Sequence, residues 1–339
     1  MPNNPTKILL STTLLGGILI SISSNSWLGA WMGLEINLMS FIPIMSSQGN
    51  IYTTEASLKY FLVQALASST LLFMVVMGAL MDQMPLMNKL FPYTVMTPLL
   101  LKMGAAPLHW WFPSVMEGLS WMNCLVMMTV QKIAPMILIS YVLKMNTATL
   151  SIIMASVVIG SLGGMNQTSL RKILTYSSIN HTGWMLAAML GGDNLWLMYF
   201  TVYSLLTLAI TVIAKSYNIS FVNQTMTTNG SAKTKYILFS TLLSLGGLPP
   251  FIGFLPKWIV IQMMIMNGLT FTMTIMVVTS LMTLYYYLRI CYSSFTISHE
   301  EASWKMSMNT KNKFILHGAM LASVSMLGLL VCTTITSTN

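Results

Sequence analysis

Charge is scarce in this chain. Only 7% of its 339 residues are Asp, Glu, Lys or Arg, whereas 55% are hydrophobic. Soluble domains carry about a quarter of their residues as charged side chains, so a soluble globular fold is excluded. Intrinsic disorder is excluded as well, because disordered chains are poor in apolar residues and rich in charge. The composition therefore predicts an all-α membrane protein that crosses the bilayer many times.

Motifs for nucleotide and metal chemistry are missing too. The chain has no Walker A loop, no GxGxxG fingerprint and no HExxH pair. Its three cysteines, Cys124, Cys291 and Cys332, lie far apart in apolar segments and form no CxxC spacing. The net charge of +9 comes from basic residues scattered over short loops, so nucleic acid is not an expected partner. Any energy source must be an ion gradient or a partner subunit.

Methionine is unusually frequent, with 33 residues. Packing permits so many methionines but does not require them. An AT-rich genome that reads ATA as Met, as animal mitochondria do, would replace Ile by Met. The N-terminus shows neither an Arg-rich transit peptide nor a cleavable signal pattern. We therefore expect an organelle-encoded protein.

Eleven apolar segments are long enough to be transmembrane helices, which need about 20 residues each. They lie at residues 7–24, 26–45, 58–81, 90–107, 118–144, 148–165, 168–190, 195–217, 234–266, 270–293 and 314–335. With the N-terminus inside, ten basic residues fall in inner loops and ends, and only Lys89 and Lys144 fall in outer loops. This bias predicts an inner N-terminus.

Two of these segments contain helix-breaking residues. The fourth reads LLLKMGAAPLHWWFP, and the ninth reads SLGGLPPFIGFLPKW. Backbone that leaves the helix at membrane depth is tolerated only inside the protein or beside water. Because the two breaks lie five segments apart, we predict two five-helix repeats of opposite topology, a pattern that points to a transport site.

Four charged side chains fall deep within predicted spans: Glu35, Lys102, Lys132 and Lys257. Each charge at the bilayer centre costs about 2.5–3.5 kcal/mol on insertion scales, which favours a role in handling ions or protons. A lysine kept away from water releases its proton more easily, and a nearby carboxylate opposes that release. The alternative is that the charges only form structural ion pairs between helices.

Two histidines are secondary candidates for proton handling. His109 follows Pro107 in the first break, and His181 lies in the polar run TYSSINHT. A satisfied interhelical hydrogen bond is the alternative interpretation of each. Glu117 is assigned to the start of a helix, where a negative charge suits the helix dipole.

Six stretches carry a family resemblance: SNSWLGAWMGLEINLMSFIP, EASLKYFLVQALAS, LLLKMGAAPLHWWFPSVMEG, TVQKIAP, GGMNQTSLRKILTYSSINHTGWM and SLGGLPPFIGFLPKW. They resemble the subunit 2 family of animal NADH:ubiquinone oxidoreductase, respiratory complex I, whose members are antiporter-like membrane subunits. The resemblance runs essentially from end to end.

The resemblance implies about eleven transmembrane helices: two inverted five-helix antiporter-like repeats with broken helices, and one C-terminal helix. The expected first repeat spans residues 1–144, and the second spans residues 148–293. A matrix-side loop is expected at residues 294–313, and a C-terminal helix and tail at residues 314–339. The implied location is the mitochondrial inner membrane, crossed several times, with the N-terminus on the matrix side.

The resemblance also implies partners. NADH, FMN, iron–sulfur clusters and ubiquinone are expected in partner subunits, with no cofactor and no metal bound by this chain. Other membrane-arm and accessory subunits of complex I are the expected partners, together with a phospholipid such as cardiolipin.

The family's functional residues can be carried over one by one. Its antiporter glutamate falls on Glu35, and its lysine of the first broken helix falls on Lys102. Its central-axis lysine falls on Lys132 in QKIAP, and its second broken-helix lysine falls on Lys257 in FLPKW. The implied function is proton translocation in the membrane arm, coupled to quinone reduction elsewhere in the enzyme. A stand-alone cation/proton antiporter and a structural scaffold are the alternatives.

Overall fold

The computed structural model describes residues 5–47, 49–80, 85–227 and 232–296. Within these residues the regular secondary structure is helical, with one isolated β-bridge between Ser169 and Phe221. The helices are α1 (Pro5–Ser23), α2 (Trp27–Met45), α3 (Ile51–Leu80), α4 (Pro85–Met103), α5 (Trp111–Gly118), α6 (Trp121–Met128), α7 (Val130–Val142), α8 (Thr147–Met165), α9 (Leu170–Met189), α10 (Asp193–Ser216), α11 (Val222–Thr227), α12 (Ala232–Gly246), α13 (Phe254–Met266) and α14 (Thr270–Thr296). In the described part of the chain, seven helical segments are long and apolar enough to cross a membrane. The predicted all-α membrane class is confirmed.

Two compact units divide the chain between Thr149 and Leu150. In the first unit, α1 packs on α2, α3 contacts α2, α4 and α5, and α4 packs on α7. In the second unit, α10 contacts α9, α12 and α13, while α14 packs on α12 and α13.

Several helix boundaries differ from the predictions. The apolar segment predicted at 118–144 is interrupted at Thr129, whose φ and ψ are −117° and −75°. Its hydroxyl donates to the Leu125 carbonyl at 2.7 Å, a bond to the preceding turn that bends helices. α3 begins at Ile51 rather than at residue 58. The assignment of Glu117 to a helix start was wrong, because it lies in the last turn of α5.

The C-terminal predictions are only partly covered by the described residues. α14 continues to Thr296, so the loop predicted at 294–313 begins inside a helix. The remainder of that loop and the helix predicted at 314–339 lie outside the described residues.

α9 shows how a polar helix is accommodated in this fold. All of its side chains are buried except Arg171, Lys172 and Tyr176. Its hydroxyls bond within the helix; Thr182 Oγ1, for example, donates to the Ile179 carbonyl at 2.6 Å. These local bonds satisfy polar groups that have no water to pair with.

Helices α1 and α2 approach each other closely at two glycines. A Cβ on Gly17 would lie 2.9 Å from the Gly33 carbonyl oxygen, and one on Gly33 would lie 2.7 Å from the Gly17 oxygen. The backbones therefore touch where any side chain would separate them. Such close contact of small residues is a typical way for helices to associate in a membrane.

We predict that Gly17→Ala lowers the stability of the fold by about 1–3 kcal/mol, because the new methyl group must push α2 away. Gly16→Ala is the matched control, since nothing lies within 4 Å of a Cβ at that neighbouring position. The yield of correctly assembled protein on native electrophoresis measures the effect. Equal yields for the two variants would contradict the close approach.

Candidate functional site

Both predicted helix breaks end in the same local structure. α4 is followed by Gly104 with φ +69°, and α12 is followed by Gly247 with φ +80°. At each break the glycine N–H and the next N–H bond back to the last helical turn, for example Ala105 N to the Leu100 carbonyl at 3.1 Å. This arrangement is the Schellman motif, which ends a helix and satisfies part of its free carbonyl groups.

Side chains donate further hydrogen bonds to carbonyls of the first break. The Trp111 indole donates to the Leu101 carbonyl at 3.0 Å. Gln64 Nε2, from α3, donates to the Lys102 carbonyl at 3.2 Å. The break is thereby stabilised inside protein, as its position at membrane depth requires.

The second break is joined by a lysine. Lys257 lies in the first turn of α13, and its Nζ donates to the Gly246 carbonyl at the end of α12, 2.9 Å away. The ammonium group also lies 5.8 Å from the centre of the Trp184 ring. A cation is stabilised both by the negative end of a helix and by an aromatic face. Lys257 therefore connects the two halves of the broken helix.

Lys102 lies in the last turn of α4 and is only 7% exposed. The half-buried carboxylate of Glu35, on α2, attracts it electrostatically. Among the described residues, however, no ion pair of 4.0 Å or less joins the two. The two charges interact without direct contact.

Lys132 lies in the first turn of α7, just after the interruption at Thr129, and is 1% exposed. Its ammonium lies 5.3 Å from the centre of the Phe112 ring. Phe112 also packs beside Gly104, where a Cβ would lie 3.1 Å from the Phe112 Cβ. One aromatic ring thus contacts both the first break and Lys132.

A small polar cavity lies beside Lys102. Its lining includes amide and hydroxyl side chains from α2, α3 and α7: Asn37, Tyr60, Gln64 and Gln131. Gln131 Nε2 donates to Asn37 Oδ1 at 3.0 Å, and the Tyr60 hydroxyl lies 3.5 Å from Gln131 Oε1. No motif in the sequence marks these residues. They could have been recognised because an amide side chain within an apolar span is costly to bury and therefore needs a partner.

Both candidate histidines are buried and hydrogen-bonded. His181 Nδ1 lies 2.8 Å from the Tyr199 hydroxyl, an interhelical bond between α9 and α10. His109 Nδ1 lies 3.2 Å from the Pro107 carbonyl within the break. The interhelical hydrogen bond expected as the alternative interpretation is therefore present at His181, whereas the bond of His109 lies within the break itself. A role in proton transfer stays a prediction for both histidines.

The structure groups the predicted residues within each unit. Glu35 and Lys102 interact in the first unit, where Lys132 directly follows the cavity residue Gln131. In the second unit, α13 with Lys257 packs on α9 with His181. The described residues contain no group of three or more His, Cys, Asp or Glu side chains that could hold a metal ion.

Sequence profiles of known families match nearly the whole chain. Residues 24–283 match the transmembrane family of NADH:quinone oxidoreductases and Mrp antiporters, and residues 284–336 match the C-terminal family of NADH dehydrogenase subunit 2. NADH-ubiquinone oxidoreductase chain 2 of Anopheles gambiae is 49% identical over 94% of both chains. The same subunit of Locusta migratoria is 44% identical over 98% of this chain and 97% of the relative.

The chain belongs to the NADH-ubiquinone oxidoreductase chain 2 family. The predicted membership of this family of complex I subunits is confirmed.

Solved structures share the fold. A chain of respiratory complex I from Thermus thermophilus has a TM-score of 0.83 at 24% identity, covering 98% of this chain and 80% of that chain. A chain of the Mrp complex from Dietzia has a TM-score of 0.82 at 16% identity, covering 96% and 75%.

We predict that Gly247→Ala displaces Lys257 from the end of α12. A Cβ there would lie 3.0 Å from Lys257 Cδ and 3.1 Å from Nζ. Gly268→Ala is the matched control, because Gly268 also has a positive φ of +72° but open space around its Cβ position. Both variants carry the backbone cost of about 1–2 kcal/mol. Thermal inactivation of the assembled enzyme should show a larger loss for Gly247→Ala, and equal losses would contradict the contact.

Proposed function

We propose that this chain translocates protons in the membrane arm of complex I, coupled to quinone reduction in other subunits. Glu35, Lys102, Lys132 and Lys257 are the proposed proton-handling residues, and His109 and His181 are secondary candidates. The chain takes part in NADH:ubiquinone reductase activity as a subunit. NADH, FMN, iron–sulfur clusters and ubiquinone belong to its partners, and this chain binds none of them.

The observation that carries this proposal is the arrangement of Glu35 and Lys102. A structural ion pair would place their charged groups in direct contact with ideal geometry, because only that offsets the cost of burial. Instead the carboxylate acts on the ammonium from a distance, and Lys102 lines a polar cavity. Such a pair can change its charge state when either group moves. Glu35 thereby controls whether Lys102 holds or releases its proton.

Lys132 and Lys257 are the next carriers in the proposed order. Each is buried against an aromatic ring, which stabilises the charged form. Lys257 also donates to a backbone carbonyl, so a change in its charge would alter the bond that joins α12 to α13. Proton movement and the geometry of the break are therefore linked at this residue.

We further propose the detailed topology. Eleven transmembrane helices form two inverted repeats at residues 1–144 and 148–293, followed by one C-terminal helix. The matching Schellman motifs and the lysine beside each break support this repeat. The protein is a multi-pass protein of the mitochondrial inner membrane, and the basic inner loops support a matrix-side N-terminus. Cardiolipin or a similar phospholipid is a proposed partner.

A stand-alone cation/proton antiporter is the second candidate function, because the Mrp complex of Dietzia shares the fold. Native electrophoresis of gently solubilised membranes, with a stain for NADH dehydrogenase activity, separates the two. Comigration with a large NADH-oxidising complex supports the respiratory function. Migration alone, together with cation exchange by the isolated chain in liposomes, would support the antiporter.

We predict that Lys102→Met lowers coupled NADH:ubiquinone turnover at least about tenfold while the complex still assembles, because a proton carrier is lost. Lys144→Met is the matched control, since Lys144 is exposed after the end of α7. Turnover and the ratio of protons pumped to electrons transferred are measured in proteoliposomes. Full proton pumping by the Lys102 variant would contradict its assignment, and normal turnover after the loss of each buried lysine would support a scaffold.

We predict that Glu35→Gln also slows coupled turnover, and that it causes no further loss when Lys102 is already Met. A residue that acts only through Lys102 must behave in this non-additive way. Glu55→Gln is the matched control, because Glu55 is exposed and pairs with Lys59 at 2.6 Å on α3. Additive losses in the double variant would show that Glu35 acts independently of Lys102.

A further inference from the structure

The imidazole of His181 is held between two tyrosines of α10. Its Nδ1 lies 2.8 Å from the Tyr199 hydroxyl oxygen. The centre of the Tyr203 ring lies 5.1 Å from the centre of the imidazole, with an angle of 44° between the planes. Because Tyr199 and Tyr203 are four residues apart on a helix, they lie on the same face of α10. One polar and one aromatic contact therefore meet the same imidazole ring.

The Tyr199 hydroxyl has no other purpose in packing. Tyr199 is 1% exposed, and a phenylalanine ring would fill the same space without bringing a polar group into the interior. The neighbouring Tyr203 hydroxyl interacts with Ser178, whereas the Tyr199 hydroxyl bonds to the imidazole. The buried hydroxyl and the buried imidazole nitrogen satisfy each other across two helices.

The bond at Nδ1 determines which ring nitrogen exchanges a proton with other groups. A neutral imidazole carries a proton on one nitrogen and a lone pair on the other, and a phenol can donate to the lone pair or accept from the N–H. In either arrangement Nδ1 is engaged with Tyr199, so that proton exchange with other groups takes place at Nε2. The bond also opposes rotation of the ring about its Cβ–Cγ bond, which would interchange the two ring edges.

His181 lies one helical turn before the aromatic contact of Lys257. Trp184 follows three residues later on α9, so the two side chains lie on the same side of the helix. The Lys257 ammonium lies 5.8 Å from the centre of the Trp184 ring, and α13 packs on α9. The orientation of the imidazole therefore determines which groups Nε2 meets in the part of the second unit that also holds Lys257.

We infer that Tyr199 is a positioning residue for His181. Its hydroxyl holds Nδ1, fixes the orientation of the imidazole ring and directs Nε2 to the groups with which His181 exchanges a proton. The importance of this orientation for turnover rests on the proposed function, whereas the orientation itself does not.

The first test compares cryo-electron microscopy maps of the intact wild-type complex and of its Tyr199→Phe variant. In the wild-type map the imidazole should take one orientation, with Nδ1 about 3 Å from the Tyr199 oxygen. In the variant the ring should turn away from residue 199 or occupy two orientations. An imidazole in the same place in both maps would overturn the inference.

The second test measures turnover of the same variant. Tyr199→Phe should lower kcat about fivefold, the size of one lost hydrogen bond, while assembly and the KM for ubiquinone stay unchanged. Tyr286→Phe is the matched control, because Tyr286 is also fully buried in the second unit and its ring contacts Tyr287. Equal losses of kcat in the two variants would show a general effect of removing a buried hydroxyl and would overturn the role of Tyr199.

A double variant separates positioning from packing. If Tyr199 acts only through the imidazole, Tyr199→Phe should cause no further loss of kcat when His181 is already Gln. Additive losses would overturn the inference, because they would show that the hydroxyl acts on turnover by another route.

The outcomes distinguish this inference from the proposed function. Normal turnover and normal pumping by His181→Gln would contradict the proposed role of His181 in proton handling. The maps of the wild-type and Tyr199→Phe complexes would still decide whether Tyr199 orients the imidazole.

Discussion

Backbone carbonyls that a broken helix frees at membrane depth must find donors inside the protein or in enclosed water, because bulk water is absent there. This requirement shapes both breaks of the chain. After α4, the carbonyls are satisfied by the Schellman motif, the Trp111 indole and the Gln64 amide. After α12, the ammonium group of Lys257 donates a hydrogen bond to the freed carbonyl of Gly246. The neighbouring helices are placed where they can supply these donors.

The lysines at the two breaks make different contacts. Lys257 is engaged with Gly246, so its charge stabilises the backbone of the break. The carbonyl of Lys102 is satisfied by Gln64, which leaves the Lys102 ammonium free to interact with the cavity and with the distant carboxylate of Glu35. A lysine whose ammonium group does not bond to a backbone carbonyl can change its protonation state with little effect on the backbone. In the proposed function, Glu35 therefore acts at the first break, and a change in the charge of Lys257 alters the backbone contact at the second.

Family membership and geometry support the proposed function in different ways. The 49% identical relative places the chain in the NADH-ubiquinone oxidoreductase chain 2 family. The fold shared with the Mrp complex shows that the same helices occur in two kinds of membrane complex. What distinguishes proton handling from a scaffold is local. The proposed proton handling rests on an attraction without direct contact between Glu35 and Lys102, beside a polar cavity, because a structural ion pair would need direct contact.

Composition and apolar segment length alone determined the membrane class, the positions of most helices and both breaks, because hydrophobic runs and Gly–Pro clusters are local signals. They also revealed the buried charges, since a Lys in an apolar span is conspicuous in any sequence. Tertiary structure alone decided the partners of these charges. Gln64, Asn37 and Gln131 are separated from Lys102 along the chain, and only the packing of α2, α3, α4 and α7 brings them to one cavity. The interruption at Thr129 also needed the structure, because a threonine bends a helix only when its hydroxyl bonds back to the preceding turn.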